Sequence, residues 1–286
     1  MPSLKDLKKR IESVKKTEQI TRAMRMVAAA KLRRAQSSII AARPYAIKMN
    51  EVLVSLVTRT NPDVHPLLQV REPKKGVLVV IASDRGLCGA FNHNVFRAAE
   101  AFANENKGRY EDYSLVLAGR RCVDYFKRKG FPVRKSTMIG TPTYELAVEI
   151  ADDLIDGYIK EEFDELTIIF NEFKSAMRQV LHVDKILPVE PMEADDEMST
   201  VEYLYEPSEE ALLDTLIPMS LRIFFYRALL ESAASEHGAR MTAMENASGN
   251  AVEMIDKLSI KYNRARQAAI TTELMEVVGG AEALKG

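Results

Sequence analysis

The chain has 286 residues, with 40 Lys and Arg against 41 Asp and Glu, a net charge of −1 and 47% hydrophobic residues. It can bury a substantial core, which argues against intrinsic disorder and against a protein that wholly coats nucleic acid. With 13 Gly, 11 Pro, 7% aromatics and no Trp, the composition is poor for an all-β sandwich and suits long helices. Two cysteines, Cys88 and Cys122, are too few for a disulfide framework, and no secretory signal is legible near the start, so a reducing, cytoplasmic setting is expected. VLVVIA at 77–82 is the longest clean apolar run; it suits a buried strand and is far short of a membrane span.

Residues 1–50 hold 13 Lys and Arg but only 3 acids, so a basic arm is attached to an acidic body. Such an arm suits nucleic acid, an anionic membrane surface or an acidic protein partner. Tyr45 is its one aromatic, so it lacks the stacking surfaces of a single-strand binder. From Ser3 to about Arg59 there is no Gly and one interior Pro, Pro44, which predicts one long helix, kinked or restarted there. A strict 3,4 spacing from Ile11 to Leu56 meets apolar residues at 11 of 14 positions, as a coiled-coil seam requires. The exceptions, Glu18, Thr21 and Arg25, fall together, so that stretch either faces away from the partner helix or has a role of its own.

After a loop over 60–75 the pattern changes. GVLVVIAS, YSLVLAG, PVRKSTMI, ELTIIFNEF and QVLHVDKIL read as strands, and helical runs at about 92–106, 120–129 and 143–160 separate the first four. This order predicts a mostly parallel sheet with helices on its faces and an antiparallel edge after Lys174. A second loop is expected over 188–200. From EPSEE, where Ser208 is placed to cap, the chain reads as helix, interrupted early by Pro218 and weakened at Gly279 and Gly280. The 3,4 template phased on Leu216 gives 14 apolar positions of 18, among them Met244, Met254 and Met275, with His237 and Arg240 as neighbouring polar exceptions. Met241, Met244 and Met254 are read as core, whereas Met24 and Met275 are open to another protein.

The expected architecture is therefore α/β plus a long coiled coil. An antiparallel pair of N- and C-terminal helices (1–59 and 208–286) flanks a central Rossmann-like α/β domain of about five strands (76–205). Helices over 4–59 and 219–279 would be about 84 and about 90 Å long, against a diameter of about 50 Å for a compact globule of this length. They should project as a rod, which looks like a mechanical or interaction element.

The loop SDRGLCGAFN, residues 83–92, follows a strand and precedes a helix, where open α/β sheets bind ligands. Gly86 and Gly89 fit neither the dinucleotide fingerprint nor the P-loop pattern, and no Lys follows to reach a phosphate. The loop reads as a tight turn with Asp84 and Arg85 exposed, and both cysteines as small buried residues. His65, His93, His182 and His237 are scattered without ligand spacing, so no metal or cofactor is expected, and His237 is assigned a local hydrogen bond. Near the end, Lys261, Arg264, Arg266 and Gln267 form either a solvated face or a cationic surface for acidic partner loops. Two functions remain open on these residues: an α/β nucleotide-binding enzyme with a helical arm, and a nucleic-acid-binding protein using the basic helix.

Three stretches together resemble one family. ITRAMRMVAAAKLRRAQ (20–36), SDRGLCGAFN (83–92) and YNRARQAAITTELMEVVGGAEAL (262–284) are similar to the hallmark segments of gamma subunits of F-type ATP synthases, in the same order. The resemblance implies a rotor shaft. It would stand inside a hexamer of three alpha and three beta subunits and bind the epsilon subunit and the membrane c-ring. It would have no catalysis of its own and no nucleic-acid partner, and would sit peripherally on the cytoplasmic face of a bacterial membrane. Carried over by matching residues, Met24, Arg266, Gln267 and Thr271 are implied beta-subunit contacts. Tyr203, Tyr205 and Glu206 are implied ring and epsilon contacts, and Ser83, Asp84, Arg85, Gly86 and Gly89 form the family-motif loop. The chain departs from the family at Arg25, where bacterial members commonly carry an acid. It also lacks any Cys after Cys122, so the thiol regulation of chloroplast members is not expected.

Overall fold

The computed structural model describes residues 3–59, 65–189 and 209–283. In chain order the elements are α1 (Leu4–Arg59), β1 (Lys75–Ile81), α2 (Phe91–Glu105), β2 (Asp112–Ala118), α3 (Arg120–Lys129), β3 (Val133–Thr137), α4 (Tyr144–Ile159), β4 (Glu165–Phe173), β5 (Gln179–Leu187) and α5 (Glu209–Ala283). Long N- and C-terminal helices thus flank a five-stranded sheet, as the sequence predicts. Pro44 and Pro218 both lie inside uninterrupted helix. The glycine pair does not end α5 either, which runs through Gly279 and Gly280 to Ala283. A glycine costs a helix only about 1 kcal/mol, which a long cooperative helix absorbs. The expected cap Ser208 lies outside the described residues.

Two compact units divide the chain: Ala28–Arg240, and the two chain ends Met1–Val27 with Met241–Gly286. In the first, the sheet order is β3-β2-β1-β4-β5, with β5 alone antiparallel. β1 lies at the centre and is buried from Gly76 to Ile81, which is why it reads as a continuous apolar run and not as an alternation. Its side chains divide between two cores. Val77, Val79 and Ile81 join Ile168, Phe170 and Leu154 on the face covered by α4, with Leu53 and Val57 of α1 and Leu213 to Leu229 of α5. Leu78 and Val80 join Leu115, Leu117, Val95 and Phe126 on the face covered by α2 and α3. The strand order reverses between β1 and β4, so the crevice where such sheets take ligands opens at the carboxyl end of β1.

In the second unit, α1 starts with Ser3 and Asp6 capping one another: the Asp6 N–H donates to Ser3 Oγ at 3.2 Å, and the Ser3 N–H to Asp6 Oδ2 at 3.3 Å. Leu7, Thr21, Met244, Ala251 and Leu258 are its buried residues. Rising numbers on α5 meet falling numbers on α1: Arg25 pairs with Glu245 at 3.0 Å, and Ser248 donates to Glu18 at 3.5 Å, as in an antiparallel pair. Two of the three polar exceptions, Glu18 and Arg25, therefore meet polar groups of the partner helix. The third, Thr21, is 9% exposed, and its hydroxyl is satisfied within α1 by donating back to the carbonyls of Thr17 and Glu18.

Beyond Ala251 the template phased on Leu216 holds only at Leu258 and Ala265. Met254 is 46% exposed and Met275 67% exposed, and Lys261, Ala268 and Thr272 are exposed too. The protected positions are Ile255, Leu258, Ser259, Tyr262, Ala265 and Ala269, so Leu258 and Ala265 stay on the template while the positions between and after them have moved on by one residue. A strict seven-residue repeat drifts about 20° per heptad against a straight helix, or one residue over about five heptads. The template also crosses Ala228–Ser235, where α5 is buried on every side and no phase can be read. Met244 is buried and Met241 half-buried, as core residues should be; Met254 is a correction.

Candidate functional site

Two places carry the sequence-predicted residues, and each is built differently. The first is the loop after β1, in the unit Ala28–Arg240. Ser83 is 1% exposed; its N–H donates to Asn92 Oδ1 at 3.0 Å and its hydroxyl to the Arg85 carbonyl at 2.6 Å, closing the turn on itself. Leu87 and Gly89 hold left-handed φ angles of 63° and 58°. For glycine this is easy; for leucine it is a strained state that persists only when its surroundings over-determine it.

Asp84 is not the free surface carboxylate expected of it. It accepts the N–H of Arg120 at 2.9 Å, of Gly140 at 2.7 Å and of Ile139 at 3.4 Å, tying the carboxyl ends of β1, β2 and β3 together. Gly119 allows this closeness, since a side chain there would begin 2.2 Å from the Ala82 carbonyl oxygen, at a φ of 103°. Arg85 is exposed, as expected. Cys88 and Cys122 are 1% and 0% exposed, and burial pushes both thiols up, Cys122 to about 12, so neither is a thiolate at neutral pH.

The partner of this loop is Arg240 of α5, which the sequence flags only as a polar break in an apolar seam. Its Nη2 donates to the carbonyls of Arg85 at 3.0 Å and Gly86 at 3.2 Å, and its Nη1 lies 2.6 Å from Glu236 Oε1 one turn back. The Arg240 and Glu236 side chains are 11% and 17% exposed. Burial raises Glu236, and Arg240 offsets this only in part. His237 faces the same guanidinium, its Nδ1 3.3 Å from Nη1; burial, then Arg240 and Lys31, lower it to about 4. A cleft of about 430 Å³ lies over these groups. The carboxyl end of β1 is thus occupied by the chain's own arginine and by a carboxylate that takes up the amide donors after β2 and β3. A phosphate would meet Asp84 and Glu236 there.

The second place is the end of α5, in the unit of the two chain ends. Arg266, Gln267 and Thr271 are all exposed. Gln267 and Thr271 share one helix face, the Thr271 hydroxyl donating to the Gln267 carbonyl at 2.9 Å, while Arg266 points about 100° away. Met24 is half-buried and level with the Arg25–Glu245 pair, about 30 Å along α5 from Arg266. The structure therefore does not bring Met24 together with the other three. From Ile270 to Ala281 every residue of α5 is exposed, including Leu274 at 60%, Met275 at 67% and Val277 at 70%. A helix end that leaves a cluster of large apolar side chains exposed is a surface made to be covered. Tyr203, Tyr205 and Glu206 lie outside the described residues.

The comparisons with known proteins agree with one another. A family model described as ATP synthase matches residues 3–284. The chain is 51% identical to the ATP synthase gamma chain of Geobacter sp. (strain M21) over 288 residues, covering all of both chains. It is 50% identical to that of Trichlorobacter lovleyi over 289 residues, again covering all of both. Among solved structures it is similar to a chain of the central stalk and c-ring of Tetrahymena thermophila mitochondrial ATP synthase, at 30% identity and a TM-score of 0.62, over 80% of this chain and 99% of that one. A chain of the Euglena gracilis mitochondrial ATP synthase in rotational state 3 shares the fold at 20% identity and a TM-score of 0.71, over 98% and 94% of the two chains.

Proposed function

Because this chain belongs to the ATP synthase gamma-chain family, we propose that it is the central rotor shaft of the complex, coupling proton-driven rotation of a membrane ring to ATP synthesis or hydrolysis. Catalysis belongs to other subunits. The shaft stands in a hexamer of three alpha and three beta chains, with epsilon and the c-ring at its foot, on the cytoplasmic face of the membrane. No described helix is long and apolar enough to cross a membrane, which agrees with a peripheral subunit.

The observation that carries this reading is the end of α5, exposed on every side from Ile270 to Ala281 with Ile270, Leu274, Met275, Val277 and Val278 uncovered on it. Weakly directional apolar contacts let a shaft turn in a sleeve without locking at one angle. Arg266 and Gln267, just before it, and Thr271, at its start, supply directional contacts, and Met24 supplies one at another level. Because these groups are arranged asymmetrically around the axis, each surrounding catalytic site meets a different face. Such a ligand shifts conformational equilibria only through its differential contacts with the alternative states. Tyr203, Tyr205 and Glu206 are assigned to the ring and epsilon, and the loop Ser83–Gly89 to the joint that anchors α5 on the sheet. The nucleotide-enzyme reading loses its support at that joint, because the donors a phosphate would need are spent, those of Arg240 on backbone carbonyls and the backbone amides on Asp84.

The test is reconstitution with purified alpha and beta subunits, followed by complex mass, ATP hydrolysis and rotation. Arg266→Ala with Gln267→Ala is expected to lower torque and ATP turnover while leaving the melting of the free chain within about 0.5 kcal/mol of wild type, as for exposed sites. Unchanged torque and turnover would remove these two residues from the mechanism. Failure of the wild-type chain to join alpha and beta would remove the shaft reading itself.

A further inference from the structure

We propose that His237 is the latch of an acid-releasable clasp, holding Arg240 on the loop after β1 only while its imidazole is neutral. The argument begins with hydrogen-bond inventory. A guanidinium has donors and no acceptor, so an imidazole nitrogen 3.3 Å from Arg240 Nη1 must present a lone pair. His237 is thereby held neutral, with its proton on Nε2. Protonation of Nδ1 replaces that acceptor with a second donor and places a new cation against Arg240.

The charged groups around the imidazole set the balance. Arg240 of α5 and Lys31 of α1 act on it directly, and the other charged groups lining the cleft with it are Glu236 on α5, Asp84 and Arg85 on the loop, and Arg120 at the start of α3. Four are cations. Of the two acids, Glu236 is already paired with Arg240 at 2.6 Å, and Asp84 with backbone amides. A protonated His237 therefore finds no unengaged carboxylate among them, and burial with Arg240 and Lys31 beside it pushes its pKa down to about 4.

Release has a defined consequence. Arg240 holds the carbonyls of Arg85 and Gly86, immediately before Leu87 with its φ of 63°. Without the guanidinium, the left-handed leucine loses part of what over-determines it and relaxes toward negative φ. The loop then leaves α5. This inference rests on the unit Ala28–Arg240 alone and does not require the shaft reading.

The sign of the pH dependence follows from linkage. A histidine whose folded pKa lies below its unfolded value of about 6.5 contributes fully above that value and loses its contribution as pH falls toward about 4. Glu236, raised by burial, works the opposite way, its contribution being lost as pH rises, and the wild-type chain and its His237 variants all keep it. His237→Gln keeps an acceptor and removes the titration. Urea unfolding of the full chain from pH 8 to pH 4 is expected to show the two proteins parallel above pH 7. By pH 4, wild type should have lost about 10²-fold in its folding constant relative to the glutamine variant. Parallel profiles throughout would overturn the proposal, as would a nitrogen NMR signal placing the His237 proton on Nδ1 at pH 7. His237→Lys, a permanent cation, is expected to speed hydrogen exchange across residues 83–89 at least tenfold at neutral pH while the sheet stays protected. Unchanged exchange in that folded variant would also overturn it.

Discussion

Arg240 and Arg266 stand on one helix, 26 residues apart, in opposite surroundings. The first has an 11% exposed side chain that spends its donors on Glu236, on His237 and on the carbonyls of Arg85 and Gly86. The second is exposed, beside a helix end on which every residue from Ile270 to Ala281 is exposed. A buried cation is specified by the groups that enclose it, so its role can be read within this chain. An exposed one at an unpaired helix end is specified by what will cover it. The same contrast holds between the two loads they carry: at Arg240 the chemistry is directional and internally satisfied, and at the end of α5 it is apolar and unsatisfied.

The comparison breaks most directly at Arg240→Ala. Truncation leaves the Glu236 carboxylate buried without its cation and two carbonyls without their donor. Losing one partner of a buried pair costs about 3–5 kcal/mol, so urea unfolding should show a loss of that size. A loss below about 1 kcal/mol would mean that water enters the clasp and that Arg240 resembles Arg266 after all. A smaller effect sharpens the picture in the other unit. Ile255 is half-buried and Met254 46% exposed. Ile255→Ala is therefore expected to cost about 1–2 kcal/mol, and Met254→Ala less than about 0.5 kcal/mol. Equal losses would restore the seam phased on Leu216.

How much of this was legible follows from where the periodicity is clean. β4 and β5 stand where the strand patterns place them, because apolar runs bounded by turn residues have few alternatives in a sheet covered on both faces. On α1 every described seam position from Ile11 to Leu53 is buried or half-buried. On α5 the phase is lost in a stretch buried all round, where a helix carries no stripe to read. The clasp was half legible. His237 and Arg240 stood out as adjacent polar breaks in an apolar seam, but their partners are backbone carbonyls, which no residue pattern announces. Asp84 was misread for the same reason: its ligands are amides of Arg120, Ile139 and Gly140, set by topology and not by side-chain identity. The end of α5 was legible through its resemblance to a family, since its meaning lies in another chain's surface.

The smallest effect belongs to Arg25, the residue at which the sequence departs from the pattern the resemblance implies. Its Nη1 lies 3.0 Å from Glu245 Oε1, with side chains 40% and 60% exposed. Such a pair is screened by solvent and salt, and its coupling should be about 0.2–1 kcal/mol. A double-mutant cycle of Arg25→Ala and Glu245→Ala in urea is expected to give that value at low ionic strength and to lose most of it near 0.5 M salt, where the screening length falls to roughly 4 Å. The charge-reversed chain, R25E with E245R, should match wild type, because the pair is exposed and no third charged group is recorded within ion-pair distance of either side chain among the described residues. If reversal instead weakened the free chain by more than about 1 kcal/mol, the pair would be fixing the alignment of α1 on α5. Arg25 would then belong with Arg240, as a cation specified from inside the chain.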